Sequence, residues 1–235
     1  MTERVQKLIA KSGLCSRRKA EELIQEGRVK VNDKTCEIGD VADQNTDTIY
    51  VDNQPLEFPE LVYYAVHKPK NYITSTKDPF AKQLITELVP QKPKVFPVGR
   101  LDKDATGLLI LTNDGDFAQK ISHPSNEIPK TYIAVLKRPF HEKNTLEKGV
   151  LIDGRKITPQ IIQLNKNTIA ITVRVGMHKI VKRIVKEAGN YVKHLHRTHI
   201  GNFALDVLEG EYREISESER KELLKEPTIT PKTFE

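Results

Sequence analysis

Two carboxylates stand just before an apolar run in the middle of the chain. Asp102 follows Arg100 by two residues and precedes Asp104 by two, and residues 108–111 are all apolar and are closed by Asn-Asp-Gly. Such a run has the length and the flanks of a buried strand. The sequence therefore predicts that Asp102 lies in the loop that leads into this strand, where a rigid scaffold can present a side chain for chemistry. Taken alone, however, an acidic loop residue is more typical of a solvated turn.

The longer string around Asp102 is far more specific. Residues 99–115 read Gly-Arg-Leu-Asp, a short spacer, and Thr-Gly-Leu-Leu-Ile-Leu-Thr-Asn-Asp-Gly. This string closely resembles the catalytic motif of pseudouridine synthases, in particular of the branch that modifies ribosomal RNA and carries an N-terminal S4 domain. The resemblance implies that Asp102 is the essential aspartate and that Arg100 contacts phosphate or fills the gap left by a flipped base. It also implies that Thr106 and Gly107, in the loop ahead of the strand, bind substrate.

A helix predicted over residues 176–188 carries the cation expected to pair with Asp102. Its apolar residues form one stripe, and at 100° per residue Lys182 and Arg183 flank that stripe. A flanking cation can keep its stem in the core and its charged head in a cleft. The string Gly-Met-His-Lys-Ile-Val-Lys-Arg-Ile resembles the family motif whose first paired cation faces the aspartate. The resemblance implies that this cation is Lys182, with Arg183, also a candidate substrate contact, as the alternative.

Two further strings resemble motifs of the same family. Lys-Thr-Tyr at residues 130–132 leads a predicted strand, and the resemblance implies that Tyr132 stacks on the target base. Without that resemblance, a strand tyrosine is typical of a core. Leu-His-Arg-Thr-His-Ile-Gly at residues 195–201 resembles the family's L-x-R-x-x-I-G, which implies that Leu195 packs against the same base.

The basic charge is concentrated at the N-terminus and in the second part of the chain. Residues 1–34 hold nine Lys/Arg and five Asp/Glu, whereas residues 35–60 hold no Lys/Arg and seven Asp/Glu. Two short helices, the second with Ser16 as N-cap, followed by a strand at residues 29–31, resemble the S4 RNA-binding domain over about residues 3–53. Cations in the first turn of a helix oppose its dipole, which favours an anionic ligand over a merely solvated face. The predicted contacts to the RNA backbone are Arg17, Arg18, Lys19, Arg28 and Lys30.

No metal or cofactor is expected. His194, His196 and His199 fall within six residues, but no carboxylate or thiolate is near and the neighbouring Lys193 and Arg197 would repel a cation. Conversion of uridine to pseudouridine neither gains nor loses atoms and involves no net redox change. The chain also lacks a phosphate-cradling glycine loop and an NAD fingerprint. Cys15 and Cys36 are interpreted as free thiols in a reducing cytoplasm.

The fold class implied by the resemblance is α+β, in two domains. A small S4 (α-L-like) RNA-binding domain is predicted over residues 1–54, followed by a proline-bracketed linker at 55–60. A pseudouridine synthase domain with a mixed, mainly antiparallel β-sheet flanked by helices is predicted over residues 61–226, followed by a frayed tail at 227–235. Its first strand is expected at 61–66, a short helix at 81–88, and a C-terminal helix that starts with a capping box of Ser216 and Glu219 and ends at Pro227.

The expected partner is RNA, most specifically ribosomal RNA or a ribosome assembly intermediate, with no membrane association because no apolar run approaches about 20 residues. A cytoplasmic monomer is expected. Three alternatives stay open at this level. They are a non-catalytic S4-type ribosome-associated RNA-binding protein, a synthase that acts on tRNA, and a metal-dependent hydrolase built on Asp102, Asp104 and the histidines. The sequence names neither the uridine nor the ribosomal subunit, and it leaves open whether Asp102 attacks the base, attacks the ribose or takes a ribose proton.

Overall fold

The computed structural model describes residues 2–229 and residue 233, and the chain divides into two compact units. The first unit comprises the chain up to residue 62 together with residues 92–94 and 113–115. The second comprises residues 63–91, 95–112 and the chain from 116 onward. In the described part of the chain, no helix is both long and apolar enough to span a membrane.

The first unit contains two short helices and short antiparallel strands. Its elements are β1 (Glu3–Arg4), α1 (Val5–Lys11), α2 (Arg17–Gln25), β2 (Val29–Val31), β3 (Lys34–Thr35), β4 (Val41–Ala42), β5 (Ile49–Val51) and β6 (Gln54–Pro55). Strands β3, β2, β5 and β6 pair in that order, and β1 pairs with β4. Pro55, the first residue of the predicted linker, belongs to β6 and pairs with Tyr50.

The helices of this unit begin and end where their caps predict. Ser16 is the N-cap of α2, and its side-chain oxygen accepts a hydrogen bond from the backbone N–H of Lys19. Gly27 follows the helix with a φ of +68°, a left-handed conformation that suits glycine. The apolar faces of α1 and α2 are buried together with β2 and β5, which forms one small hydrophobic core. The residues predicted to face that core, namely Val5, Leu8, Ile9, Ala20, Leu23 and Ile24, are all buried.

The second unit is built on one large sheet. The strands of this unit are β7 (Tyr63–Lys68), β8 (Phe96–Val98), β9 (Thr106–Thr112), β10 (Lys130–Leu136), β11 (Val150–Ile152), β12 (Arg155–Ile157), β13 (Gln160–Asn165), β14 (Thr168–Val173), β15 (Val192–Ile200), β16 (Phe203–Ala204) and β17 (Tyr212–Glu214). Strands β11 and β12 pair with each other in a separate two-stranded sheet. Its helices are α3 (Gly115–Ser122), α4 (Lys143–Glu147), α5 (Ile180–Glu187) and α6 (Glu217–Glu222), with 3-10 turns at Ile85–Leu88 and Pro124–Asn126.

The order of strands in the large sheet brings distant motifs together. Within the described residues the sheet runs β13-β14-β10-β15-β9-β7-β17, with β16 beside β15 and β8 beside β9. Only the β9–β15 pairing is parallel among these described strands. This pairing sets Gly107 of β9 against Arg197 of β15. The predicted α+β class, with a mixed and mainly antiparallel sheet, is confirmed.

Strand β9 is longer than predicted and is the centre of the core. Residues 107–112 are all buried, which is the environment expected for an unbroken apolar run in a central strand. Thr106 and Gly107, predicted to lie in the preceding loop, are the first two residues of this strand. They are strand residues because β7 and β15 flank β9 and hydrogen-bond to its first residues.

Two predicted helices are shorter than expected. Of the helix predicted at 81–88, only the turn Ile85–Leu88 forms, because the backbone of Ile73 hydrogen-bonds to Gln83 and Ile85 and keeps the preceding segment extended. Helix α5 begins at Ile180 rather than at Gly176, because Lys179 has a φ of +51°, which a right-handed helix excludes.

The C-terminal helix has the predicted capping box, in which Ser216 and Glu219 bond reciprocally. The helix itself ends at Glu222, five residues before Pro227. Of the tail predicted to fray, residues 230–232, 234 and 235 lie outside the described residues.

Candidate active site

The loop that carries Asp102 is held from beneath by a buried lysine. Lys68, at the end of β7, is 0% exposed, and its Nζ donates to the carbonyl oxygens of Ala105 at 2.8 Å, Pro69 at 3.0 Å and Lys103 at 3.4 Å. The hydroxyl of Thr74 also donates to the carbonyl oxygen of Leu101 at 2.9 Å. Carbonyls on both sides of residue 102 are therefore fixed, and the carboxylate projects from a rigid loop.

Burial makes the Lys68 charge costly. Loss of solvation lowers the pKa of Lys68 to about 8, while the negative charges of Asp104 and Asp102 act in the opposite direction. The ammonium group is thus kept in place by three carbonyl dipoles and two nearby carboxylates.

Lys182 of α5 bridges both carboxylates of the loop. Its Nζ lies 3.2 Å from Asp102 Oδ2, and 2.7 and 2.9 Å from the two carboxylate oxygens of Asp104. The Asp102 side chain is 21% exposed, whereas that of Asp104 is 62% exposed. The carboxylate that is shielded from water is therefore Asp102, and Asp104 supports Lys182 from the solvent side.

This bridge shifts the pKa of Asp104 and the pKa of Lys182. The hydrogen bond from Lys182 lowers the pKa of Asp104 below its usual value. Burial acts to lower the pKa of Lys182, but hydrogen bonds to Asp104 and Asp102 outweigh burial and raise that pKa. The Lys182 ammonium is therefore charged over the whole range in which RNA is stable.

A cavity of about 380 Å³ opens beside Asp102. This volume falls within the range of small-ligand sites, about 300–1,000 Å³. Asp102 and Tyr132 both line it, and a smaller cavity of about 60 Å³ continues from them toward Leu195. The larger cavity is lined by Val98, Gly99, Arg100, Asp102, Ile121, Ser122, Lys130, Tyr132, Val175, Gly176, Met177, His178, Lys179, Ile180 and Arg197.

Strands β10 and β15 contribute neighbouring side chains to this cavity. The register places Tyr132 opposite Arg197, and the Arg197 guanidinium carbon lies 5.9 Å from the centre of the Tyr132 ring. Lys130 lies two residues before Tyr132 and so points to the same face of β10. Tyr132 is 7% exposed and lines the cavity.

Five of the predicted site residues come together here. Asp102, Tyr132 and the exposed Arg100 line the larger cavity, Leu195 lines the smaller one, and Lys182 contacts Asp102. Residues from four separate parts of the chain thus lie around Asp102 and the two cavities beside it.

Three residues predicted to bind substrate are placed elsewhere. Arg183 turns away from Asp102 and forms a bidentate pair with Asp153 at 2.5 and 2.9 Å. Thr106 hydrogen-bonds to His196 Nδ1 at 2.9 Å, and neither Thr106 nor Gly107 lines the cavity. A Cβ on Gly107 would overlap the backbone of Arg197, so this glycine is required for strand packing.

Three residues of the site were not identified from the sequence. Lys68, Lys130 and Arg197 are cations in strands of an otherwise apolar sheet, and two of them, Lys68 and Arg197, are fully buried. The one feature of the sequence that could have identified them is a charged residue among apolar strand residues, because charged residues are almost never buried without a partner. The partners of Lys68 and Arg197 include residues far away along the chain, namely Lys103 and Ala105 for Lys68 and Leu108 and Tyr132 for Arg197, and these cannot be identified from local sequence.

The histidines of β15 are dispersed by the sheet. His194 is exposed, His196 packs edge-on against His67 with ring centroids 5.1 Å apart, and His199 is buried. Burial lowers the pKa of His196 and of His199. Within residues 2–229 no group of three or more His, Cys, Asp or Glu side chains is arranged to hold a metal ion.

The predicted RNA contacts of the first unit differ in whether their side chains already pair with neighbouring residues. Arg17 and Arg18 are exposed in the first turn of α2. Lys19 pairs with Glu22 at 2.7 Å, Arg28 pairs with Asp52 and Glu26, and Lys30 Nζ lies 3.2 Å from Asn53 Oδ1. Among these five residues, the described structure pairs only Lys19 and Arg28 with carboxylates, and Arg17 and Arg18 are exposed in the first turn of a helix.

Two family profiles match the two parts of this chain. A profile of the family described as RNA pseudouridylate synthase matches residues 62–225, and a profile of the S4 domain matches residues 3–42. The ribosomal large subunit pseudouridine synthase B of Bacillus subtilis is 38% identical over 232 residues, covering 94% of this chain and 95% of the relative. An RNA pseudouridine synthase of Aquifex aeolicus is 37% identical, covering 96% and 95%. A crystal structure of a pseudouridylate synthase superimposes with a TM-score of 0.69 at 31% identity, covering 94% of this chain and 99% of that one.

Proposed function

This chain belongs to the RNA pseudouridylate synthase family, and we propose from that premise that it isomerises a specific uridine of ribosomal RNA, with Asp102 as the catalytic group. The observation that carries the assignment of Asp102 is its position, on the wall of a cavity and in an ion pair with Lys182. The relatives named for the large ribosomal subunit support ribosomal RNA as the substrate class.

The reaction breaks the bond between N1 of uracil and the ribose and rejoins the base through C5. A carboxylate must be ionised to start it, whether it attacks the base, attacks the ribose or takes a ribose proton. The Lys182 ammonium lies 3.2 Å from Asp102 Oδ2 and places a positive charge beside that carboxylate. A uracil ring bound beside Tyr132 would lie in the same cavity as Asp102.

The target nucleotide has to leave its helix to reach Asp102. Flipping a base out of a helix costs a few kcal/mol, and contacts made by the flipped base and by the surrounding RNA offset that cost. Tyr132 offers a ring on which the base can stack, Leu195 an apolar contact, and Arg100 an exposed cation at the cavity rim.

The two domains divide the work. We assign RNA gripping to residues 1–54 and catalysis to residues 61–226, with ribosomal RNA or an assembly intermediate as the partner of a cytoplasmic monomer. The S4 profile match and the exposed arginines of α2 support the first assignment. The family profile over residues 62–225 supports the second.

The assignment of the substrate is tested by mapping pseudouridine. Ribosomal RNA from cells that lack the protein should carry uridine at one or a few positions that are pseudouridine when the protein is present. Purified protein should restore the modification on protein-free RNA or on an assembly intermediate. Modification that is lost only from transfer RNA would overturn ribosomal RNA as the substrate while leaving the catalytic assignment intact.

Replacement of Lys182 is expected to slow the reaction without weakening RNA binding. Lys182→Met removes the cation that contacts both Asp102 and Asp104, so the positive charge beside the catalytic carboxylate is lost. We expect the single-turnover rate to fall by about 10²-fold or more, the range found when one electrostatic contact of a site is removed. RNA dissociation constants should change less than twofold.

A matched control is available on the same helix. Lys186 is exposed one turn after Lys182, on the face of α5 that lies opposite the apolar stripe, and Lys186→Met should retain the normal rate. Lys182→Arg, which restores a cation, should recover part of the loss. Equal rates for Lys182→Met and the unmodified protein would show that the pairing with Asp102 has no part in catalysis.

Charge reversal at Arg17 and Arg18 is expected to weaken RNA binding. The double variant Arg17→Glu, Arg18→Glu replaces two exposed cations of α2 with carboxylates. Affinity should fall roughly tenfold, and the slope of log K against log salt should decrease by about 2, because two phosphate contacts are lost. The measurement is RNA binding by fluorescence anisotropy at several salt concentrations.

The control for this prediction makes the same change of charge elsewhere. Lys221 and Lys225 of the C-terminal region pair with Glu217 and Glu222, and their double reversal should leave the salt slope unchanged. If both double variants alter the slope equally, the effect reflects net charge alone and the contact site on α2 is wrong.

A further inference from the structure

The floor of the cavity carries two cations that have no role in the steps described so far. Arg197 of β15 and Lys130 of β10 line the same cavity as Asp102 and Tyr132. They lie on adjacent strands and face the same side of the sheet, one opposite Tyr132 and the other two residues before it. Two cations at the base of one small cavity need an explanation, because like charges repel each other there.

Arg197 is buried without a counter-charge. Its side chain is 2% exposed, its Nε donates to the carbonyl oxygen of Leu108 at 2.7 Å, and its Nη1 lies 3.5 Å from the hydroxyl of Tyr132. Its Nη2 is buried and has no hydrogen-bond partner. Among the described residues no carboxylate forms an ion pair with it. A buried guanidinium of this kind is costly unless a ligand supplies the missing acceptor.

Lys130 meets the same cavity with spare donors. Its Nζ donates to the carbonyl oxygen of Ile128 at 2.8 Å, which leaves two of its three hydrogens for another acceptor. Burial lowers the pKa of Lys130 to about 8, and the charge of Arg197 contributes in the same direction. Negative charge on a molecule bound in the cavity would relieve both unfavourable effects.

The reaction places negative charge on the uracil ring by each route open to Asp102. If Asp102 attacks C6, an oxygen–carbon bond forms, the C5–C6 π pair becomes a C4–C5 double bond, and the π pair of the C4 carbonyl moves onto O4. If Asp102 attacks C1′, the N1–C1′ bond breaks and its electron pair stays on the base. If Asp102 takes the C2′ proton, the C–H pair forms a C1′–C2′ double bond and the N1–C1′ pair again leaves with the base. In each case a carbonyl oxygen, O2 or O4, becomes more negative.

We propose that Arg197 and Lys130 donate hydrogen bonds to a carbonyl oxygen of the flipped uracil and stabilise the negative charge that develops on its ring. This proposal rests on the proposed function and adds an oxyanion-binding pair to it. The donors are fixed before substrate arrives, since Arg197 is held by Leu108 and Tyr132 and Lys130 by Ile128. Fixed donors aimed at a developing charge need no rearrangement as the bond breaks.

The test compares two substrates in single-turnover reactions. Arg197→Lys, which keeps the charge but loses the second N–H fork, and Lys130→Met are assayed on RNA containing uridine or 5-fluorouridine at the mapped position. Each variant should consume the uridine substrate about 10²- to 10³-fold more slowly than the unmodified protein, with RNA affinity unchanged within twofold. The defect should shrink at least tenfold on 5-fluorouridine, because fluorine itself stabilises negative charge on the ring.

The substrate comparison separates this role from a structural one. A variant that merely distorts the cavity should be slowed equally on both substrates, and that result would overturn the proposal. Arg174→Met and Lys186→Met, which remove cations outside the cavity, should react like the unmodified protein on both. If Arg197→Lys fails to fold by circular dichroism, the half-buried Lys130 carries the test alone.

The outcome also distinguishes this proposal from the one on which it rests. If the unmodified protein converts uridine while both variants keep its rate, the oxyanion-binding pair is wrong and the proposed function stands. If the unmodified protein converts no uridine in any RNA, ribosomal or transfer, the proposed function fails and this proposal fails with it.

Discussion

Asp102→Asn is expected to abolish pseudouridine formation while RNA binding persists. The amide has nearly the same shape as the carboxylate, so the cavity and the loop should keep their form, but the amide is neither a nucleophile nor a base. The rate should fall by about 10³-fold or more, the scale of a lost acid–base or nucleophilic group. The measurement is single-turnover conversion of the mapped uridine, together with the RNA dissociation constant.

Asp104→Asn is the matched control because both carboxylates contact Lys182. Asp104 is 62% exposed and does not line the cavity, so its loss should slow the reaction less than tenfold. A reversed result, with Asp104→Asn inactive and Asp102→Asn near normal, would move the catalytic assignment to the outer carboxylate. Near-normal turnover in both variants would remove it from this loop altogether.

Gly107→Ala is expected to have the largest effect on stability. Gly107 has a φ of +108°, and an added Cβ would lie 2.5 Å from the backbone N of Arg197 and nearer still to its carbonyl oxygen. Because both opposing atoms belong to backbone, no side chain can move aside, and the parallel β9–β15 pair must separate. Strain and overpacking together should cost about 3 kcal/mol or more of the free energy of unfolding. Thermal unfolding followed by circular dichroism should show a midpoint lower by roughly 6–12 °C.

Gly154→Ala controls for the positive φ alone. Gly154 has a φ of +75°, but nothing lies within 4 Å of an added Cβ. This change should cost only about 1–2 kcal/mol, the price of a left-handed non-glycine residue. If the two alanine variants are equally stable, the close approach of β9 and β15 is not what requires glycine at 107.

Much of the fold was predictable because it is decided locally. Ser16 and Gly27 mark the two ends of α2, the first by a side-chain hydrogen bond and the second by its left-handed backbone conformation. The spacing of apolar residues in α1 and α2 identifies the faces that are buried. The capping box at Ser216 was predicted for the same reason. Where a distant segment competes for backbone hydrogen bonds, local prediction failed, as at residues 81–84, which the backbone of Ile73 holds extended.

The candidate site was predictable only in part, for a related reason. The periodicity of α5 places both Lys182 and Arg183 beside its apolar stripe, and nothing local separates them. The structure separates them by partner, since Lys182 lies against Asp102 and Arg183 lies against Asp153 in the β11–β12 turn. The partner of a flanking cation depends on which loop packs beside the helix, which is a tertiary property.

The sequence by itself determined the family, because a run such as Gly-Arg-Leu-Asp is recognisable without knowledge of the tertiary structure, and the same run predicted Asp102 as the catalytic group. Only the tertiary structure decided which cations face the cavity. Arg197 lies in β15, a strand whose local pattern is mostly polar, and it is buried because β9 and β10 flank that strand. The burial of a side chain and its choice of partner depend on residues that are far apart along the chain. The strand order of the sheet decides which of those residues become neighbours.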